Sequence, residues 1–208
     1  MLTLYSAKGA CSLAPHIILE AAGLNYRVIH VDLRAKKLEY GGDFLAINPK
    51  GAVPALGLDV AAGAEGEILT ENAVILQYLA DRVPGSGLLP ATGLDRYRTL
   101  EWVNYITTEL HKSFGPLFNP AFPDDARALQ LDLIRKKLDY VARALDDGRD
   151  FLTGPDFRIC DAYLFVILRW TDQFGIDLAR WPALSAYRRR VAALDPVAEV
   201  LQQEGLGG

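Results

Sequence analysis

Residues 2–31 read LTLYSAKGACSLAPHIILEAAGLNYRVIHV. Residues 2–5 and 26–31 have the composition typical of short strands. Between them, residues 13–22 place Leu13, Ile17 and Ile18 near helical spacing, and Gly23 is a natural end for that helix. A strand, a helix and a second strand within about 30 residues predict a βαβ unit whose two strands are parallel.

The region after this unit predicts a small sheet and then a break in the chain. Two more short strands are expected at residues 55–58 and 67–69, joined by a loop at 59–66 that is rich in Ala and Gly. A helix is expected at 71–82. Residues 84–90 read PGSGLLP, and Pro and Gly at this density are typical of a linker between domains.

The strand pattern does not return after the linker. Apolar side chains recur there at helical spacing, and Pro182 has the place that proline takes in a first helical turn. The predicted helical segments are residues 95–113, the stretch from 123 to 145, residues 161–173 and the stretch that begins at 182. We therefore expect one domain at residues 1–83, a linker at 84–90 and an all-helical domain at 91–208.

Composition and charge exclude several classes of protein. Of the 208 residues, 50% are hydrophobic and 23% are charged, and the net charge is −4. Nucleic-acid binding needs a concentrated basic face, so no such partner is expected. The longest apolar run, residues 162–168, is far shorter than the roughly 20 residues that span a bilayer. With two cysteines and no signal-peptide pattern, a reduced cytoplasmic protein without a membrane segment is expected.

Cys11 is the first candidate for a catalytic residue. It precedes the predicted helix at 13–22, where unpaired N–H groups and the positive end of the helix dipole favour a thiolate. A thiolate there can form a mixed disulfide, and the alternative is that Cys11 is a small core residue. Ala14 stands where a Cys-x-x-Cys pair would have its second cysteine, which disfavours dithiol exchange.

Four motifs carry a resemblance that covers essentially the whole chain, in order. They are KGACSLAPH at residues 8–16, NPKGAVPAL at 48–56, TEN at 70–72 and TELHK at 108–112. Together they resemble the bacterial beta-class glutathione S-transferases. This resemblance implies an α+β thioredoxin-like N-terminal domain (βαβ-ββα), an all-α C-terminal domain, a homodimer, and glutathione bound as co-substrate between the domains. No metal and no permanently bound cofactor are expected.

The resemblance also implies roles for individual residues. Cys11 and His111 would lie near the glutathione sulfur, and the backbone of Val53, before a cis Pro54, would pair with the cysteinyl part of glutathione. Glu71 would take the γ-glutamyl ammonium. The remaining implied glutathione-binding residues are Lys36, Asn72, Asn104, Thr108, Glu109, Leu110 and Lys112.

Family members often have Ser or Gly where this chain has Asn72, so the implied contact there is with the backbone N–H. Asn104, Thr108 and His111 are spaced i, i+4, i+7, which predicts one shared face of a regular helix.

The expected activity is conjugation of glutathione to small apolar electrophiles, as in bacterial detoxification. Two alternatives stay open: a glutathione-dependent thiol-disulfide reductase or peroxidase that uses Cys11 covalently, and a non-enzymatic ligand binder. The electrophile would meet nonspecific side chains such as Tyr5, Phe114, Phe118 and Trp170, which are equally compatible with a core.

Arg158 departs from the expected pattern. In the motif FRICD at residues 157–161, the family normally has Ser or Thr at the position of Arg158, which with Asp161 would form a reciprocal capping box. The sequence alone therefore predicts that Arg158 lowers stability by about 1 kcal/mol unless another contact compensates.

Overall fold

The computed structural model describes residues 1–58 and 66–207, so most of the predicted loop at 59–66 lies outside the described residues. The chain forms two compact units, one made of Met1–Ser86 with Leu194–Gly208, the other of Gly87–Ala193. The predicted division at 84–90 falls near this boundary. The structure differs from the prediction in that the segment from residue 194 onward packs with the first unit.

The first unit contains a five-stranded sheet in the order β3-β2-β1-β4-β5. The predicted βαβ unit is present, since β1 and β2 are parallel, with Leu4 opposite Val28. The other strand pairs are antiparallel. The strands are β1 Leu2–Ser6, β2 Tyr26–Asp32, β3 Lys37–Leu38, β4 Ala55–Gly57 and β5 Ile68–Thr70.

Among the described residues of this unit, three α-helices each bury an apolar face. They are α1 Leu13–Ala21, α2 Asn72–Asp81 and α8 Asp195–Gln203. α1 contacts both α2 and α8, and Leu13, Ile17 and Ile18 are fully buried. Gly23 has φ of 59°, a left-handed conformation that suits glycine and ends the helix as predicted. The short strand β3 and the helix α8 were not predicted.

The second unit is helical. Its α-helices are α3 Gly93–Tyr105, α4 Lys112–Phe114, α5 Asp124–Leu145, α6 Ile159–Gln173 and α7 Pro182–Ala192. The segment Ile106–His111, between α3 and α4, is π-helical, so the helix predicted at 95–113 is interrupted. Residues 159–168 of α6 are all buried. Within the part of the chain that is described, no helix has the length and apolar character needed to cross a membrane.

The start of α6 keeps half of a capping box. The backbone N–H of Arg158 donates to the carboxylate of Asp161 at 2.9 Å. The reciprocal bond is lost as predicted, because a guanidinium has only donors and cannot accept a hydrogen bond from the N–H of residue 161.

Candidate functional site

Cys11 lies between β1 and α1, next to the backbone of Val53. Its thiol donates a hydrogen bond to the carbonyl oxygen of Val53 at 3.2 Å, and only 8% of the residue is exposed. The peptide bond between Val53 and Pro54 is cis, as the resemblance implied. The two motifs, 8–16 and 48–56, therefore meet in the first unit.

Burial sets the protonation state of Cys11. Desolvation raises the pKa of the thiol to about 12, against smaller opposing contributions from the backbone N–H groups of Cys11 and Ser12. The expectation that the helix start would favour a thiolate is wrong for the protein without glutathione, because removal from water has the larger effect. Cys11 is a protonated thiol at neutral pH.

The loop that contains Cys11 is tied to the C-terminal segment. The N–H of Gly9 donates to the Glu204 carboxylate at 3.0 Å, and the other carboxylate oxygen lies 2.9 Å from Nδ1 of His16 on α1. His16 and Glu204 are 2% and 4% exposed. Sequence reasoning missed both residues, although a histidine among apolar residues of α1 indicates a need for a buried polar partner.

The predicted Lys36 and Glu71 both have partners in the first unit. The Lys36 ammonium donates to the carbonyl of Gly51 at 2.6 Å, and Glu71 pairs with Lys50 at 2.6 Å. Lys50 was not among the predicted site residues. Glu71 is exposed and has φ of 72°, an uncommon backbone conformation for a side chain of this kind. The Glu71 carboxylate is thus at the surface beside the N-terminus of α2.

Asn72 is the first residue of α2 and lies under Cys11. It is 7% exposed, and its side-chain Nδ2 donates to the Cys11 carbonyl oxygen at 3.2 Å. The amide of Asn72 therefore has a definite partner, where the sequence indicated only a backbone role for this position.

His111 is a half-buried residue at the end of the π-helical segment. Its Nδ1 lies 2.6 Å from the hydroxyl of Tyr163 on α6, and its ring meets the edge of Trp170 at 5.0 Å. Desolvation, followed by the charge of Lys112, lowers the pKa of His111 to about 4. The imidazole is neutral at physiological pH and can take part in hydrogen bonds without carrying a charge.

Aromatic rings surround His111 within the second unit. Trp170 contacts Phe114 at 5.7 Å and Phe118 at 5.1 Å between ring centroids, and Phe174 packs on Phe118 at 5.0 Å. Phe118 is 46% exposed, whereas Phe114 is fully buried. The structure thus brings three of the predicted electrophile-contacting residues together and adds Phe174. The fourth, Tyr5, is in the first unit and packs on Phe44 at 6.1 Å.

Asn104 and Thr108 lie elsewhere on the second unit. With Glu109 they line a surface cavity of about 370 Å³, together with the aromatic residues Trp102, Tyr105 and Tyr140. His111 contacts α6 instead. The prediction that Asn104, Thr108 and His111 share one helix face is wrong, because the π-helical segment changes the angle between successive side chains.

The other residues of the TELHK motif have different environments. Glu109 pairs with Lys137 of α5 at 2.7 Å, which holds the pKa of Glu109 below its usual range. Leu110 is fully buried, so its side chain belongs to the core of this unit. Lys112 is exposed. Among residues 1–58 and 66–207, no cluster of three or more His, Cys, Asp or Glu side chains is suited to hold a metal ion.

Two family models match the chain. One, described as "Glutathione S-transferase, N-terminal domain", matches residues 1–81, and the other, "Glutathione S-transferase, C-terminal domain", matches residues 124–190. The chain belongs to the glutathione S-transferase family. The family fold, with a thioredoxin-like sheet domain and a helical domain, is the one predicted from the motifs.

Individual relatives agree with this assignment. The chain is 45% identical over 204 residues to "Glutathione S-transferase GstA" of Escherichia coli O157:H7, with 98% of each chain covered. The structure of a sphingomonad glutathione S-transferase complexed with glutathione has a TM-score of 0.91 at 46% identity. The match covers 99% of the present chain and 100% of the sphingomonad chain. A bacterial beta class glutathione S-transferase of Sphingomonas chungbukensis has a TM-score of 0.92 at 41% identity, with coverage of 98% and 99%.

Proposed function

We propose that this protein conjugates glutathione to small apolar electrophiles. The observation that carries the proposal is the position of His111, a neutral imidazole beside a half-exposed aromatic cluster. A hydrogen bond from an uncharged imidazole favours a bound thiolate. The neighbouring apolar rings offer a surface on which an apolar electrophile gains free energy by leaving water.

Glutathione is the proposed co-substrate, with no permanently bound cofactor. Membership of the family and the glutathione complex of the sphingomonad relative support this assignment. In the proposed arrangement, the Val53 backbone pairs with the cysteinyl part of glutathione and the N-terminus of α2 takes the γ-glutamyl carboxylate, since helix N-termini bind anions. Lys36 and Glu71 would first have to leave their present partners, Gly51 and Lys50.

The rate gain would come from thiolate stabilisation and positioning. His111 would hydrogen-bond the glutathione sulfur, and Cys11, whose thiol donates to the Val53 carbonyl, would lie near that sulfur. Holding thiolate and electrophile together removes much of the entropic barrier to their encounter. A covalent role for Cys11 has less support, because a buried thiol with a pKa of about 12 is almost wholly protonated at neutral pH and the thiol is not the nucleophile.

We further propose that the protein acts as a cytoplasmic homodimer, as the family resemblance implies. Exposed apolar residues on α3 and α5, among them Leu94, Tyr97 and Leu129, support a second copy as the partner. Sedimentation velocity measures the oligomeric state directly, and a monomer at micromolar concentration would contradict the dimer.

The first experiment is a pair of assays on the purified protein with reduced glutathione. One follows conjugation to a simple aromatic halide, and the other follows reduction of a mixed glutathione disulfide. We expect conjugation, lowered about tenfold or more in His111→Ala, because a hydrogen bond to a charged group is lost. The matched control is His30→Ala, since His30 is exposed on β2.

Other outcomes of this experiment would contradict the proposal. Disulfide reduction without conjugation would make Cys11 a covalent nucleophile and favour the reductase alternative. If the protein shows neither activity and calorimetry detects no heat of glutathione binding, glutathione is excluded as the co-substrate. Binding without either activity would favour a non-enzymatic ligand binder.

A further inference from the structure

Cys11 is held at two points. Its thiol donates to the Val53 carbonyl, and its own carbonyl accepts from the side chain of Asn72, which is 61 positions further along the chain. That carbonyl also accepts from the backbone N–H of Ala14 at 3.1 Å, at the start of α1. Asn72 is the only one of these partners whose contribution comes from a side chain, so it is the one that a substitution can remove.

The Asn72 amide is only half satisfied. Its Oδ1 is buried and has no hydrogen-bond partner among the described residues. A buried acceptor without a partner destabilises the folded protein. A glycine or an apolar side chain at residue 72 would avoid this penalty, so stability alone does not account for an amide here. The bond from Nδ2 to Cys11 is the contact that only the amide provides.

We infer that Asn72 is a positioning residue for Cys11: its amide fixes the Cys11 backbone and thereby keeps the thiol on the Val53 carbonyl, buried and slow to react. The inference rests on the proposed function for its consequence in catalysis, because a restrained thiol stays near the glutathione sulfur without attacking it. It differs from the backbone role proposed for the N-terminus of α2, since it concerns the side chain alone.

The restraint predicts how fast Cys11 reacts with an added alkylating agent. Iodoacetamide forms a bond between the Cys11 sulfur and its methylene carbon, iodide leaves, and the thiol proton goes to solvent. The modified peptide that contains Cys11 is quantified by mass spectrometry, separately from that of Cys160, in protein without glutathione. This readout does not depend on any enzymatic activity.

Two substitutions separate positioning from stability. Asn72→Leu keeps the number and branching of the side-chain heavy atoms and removes both the donor and the unpaired acceptor, so the melting temperature should stay the same or rise. Asn72→Ala is the second variant, for the case that Leu does not fit. The control is Gln77→Ala, which removes an amide from the same helix, where its Nε2 donates to the backbone carbonyl of Ala73.

We expect Cys11 alkylation about fivefold faster in both Asn72 variants and unchanged in the control, as loss of one hydrogen bond predicts. The pH at which the rate is half-maximal should fall, because the freed thiol is better hydrated. An unchanged rate and pH profile in both variants would overturn the inference. An acceleration no larger than the loss of unfolding free energy in urea accounts for would also overturn it, because a purely structural role gives that result.

The conjugation assay distinguishes this inference from the proposed function. If the wild type conjugates glutathione, the Asn72 variants should lower kcat by about threefold with KM for glutathione little changed, since the α2 backbone is retained. A large rise in KM with alkylation unchanged would assign Asn72 to glutathione binding and refute the positioning role. If the wild type has no transferase activity but the variants alkylate faster, the positioning role stands and the proposed function fails.

Discussion

The guanidinium of Arg158, at the N-terminus of α6, donates to the hydroxyl of Thr99 on α3 at 3.2 Å. Both residues are buried, and Thr99 donates in turn to the carbonyl of Asp95. The side chain that breaks the capping box thus ties two helices of the second unit together. This contact is the compensation that the sequence alone did not show.

Replacing Arg158 tests the compensation. We expect Arg158→Ala to lower the free energy of unfolding by about 1–2 kcal/mol, because a buried hydrogen bond and the packing of a long side chain are both lost. Arg158→Thr should be close to wild type, since a gained cap of about 1 kcal/mol offsets the lost contact. Urea unfolding measures both, with the exposed Arg189→Ala as control. A Thr variant more stable by a full 1 kcal/mol would mean that the contact with Thr99 contributes nothing.

Cys11→Ala should separate the two chemistries considered for this site. Because the thiol is protonated in the unliganded protein, we expect the variant to keep conjugation within about tenfold of wild type, the loss expected for one hydrogen bond. Any disulfide reductase activity should disappear. Cys160→Ala controls for loss of a thiol, since Cys160 is fully buried in α6. Complete loss of conjugation in Cys11→Ala alone would show that the thiol is essential to transfer.

The lowered pKa of His111 has consequences for stability as the pH changes. Its folded pKa is about 4, below the unfolded value of about 6.5, so the unfolded state binds more protons between these two values. His111 therefore reduces stability as the pH falls from 6.5 towards 4. We expect wild type to lose stability relative to His111→Asn over this range, by urea unfolding at successive pH values. Parallel curves for the two proteins would contradict the lowered pKa.

The pH dependence of catalysis should also reflect the neutral imidazole of His111. Since His111 remains neutral above about pH 5, kcat/KM should show no ionisation of a histidine between pH 5 and 8. The rise with pH should instead follow the thiol of glutathione. A bell-shaped profile with a limb near pH 6.5, absent from His111→Asn, would show that His111 titrates normally.

Periodicity predicted the parts of the fold in which local pattern decides the structure. The βαβ unit and the helices of the second unit follow from apolar spacing in single segments, and the break near residues 84–90 was predicted from its Pro and Gly content. The strand β3 has two residues, too few for any pattern. The π-helical segment escaped prediction because Ile106 and Leu110 are four apart, which fits an α-helix equally well.

Part of the environment of Cys11 was predictable from the sequence, and its electrostatics were not. The motifs named Cys11 and Val53 as parts of one site, and these two residues are in contact. The contacts of His111 with Tyr163 and Trp170 on α6 were in no motif. The raised pKa of the Cys11 thiol depends on burial by segments far along the chain, which no local pattern contains. For the same reason, the partner of His16 could not be read from α1, because Glu204 is 188 positions away.

The buried pair of His16 and Glu204 should contribute to the stability of the first unit. We expect Glu204→Ala to lower the free energy of unfolding by about 3 kcal/mol, because it leaves His16 and the N–H of Gly9 without their buried acceptor. The control is Glu199→Ala, an exposed residue on α8, the helix that ends just before Glu204, with an expected loss below about 0.5 kcal/mol. Hydrogen exchange at Gly9 should accelerate in Glu204→Ala only. Equal stability of the two variants would show that the buried pair has no net effect.

The packing of α8 on α1 has a consequence for protein synthesis. A ribosome releases residues 1–86 long before residues 195–206, yet the sheet domain needs this late segment to cover α1 and to anchor the loop at Gly9. During translation, the face of α1 that α8 covers should therefore stay exposed until α8 has been synthesised. The second unit is one continuous stretch of chain, so all its helices are synthesised before residue 194. We therefore expect the packing of the first unit to be completed after that of the second.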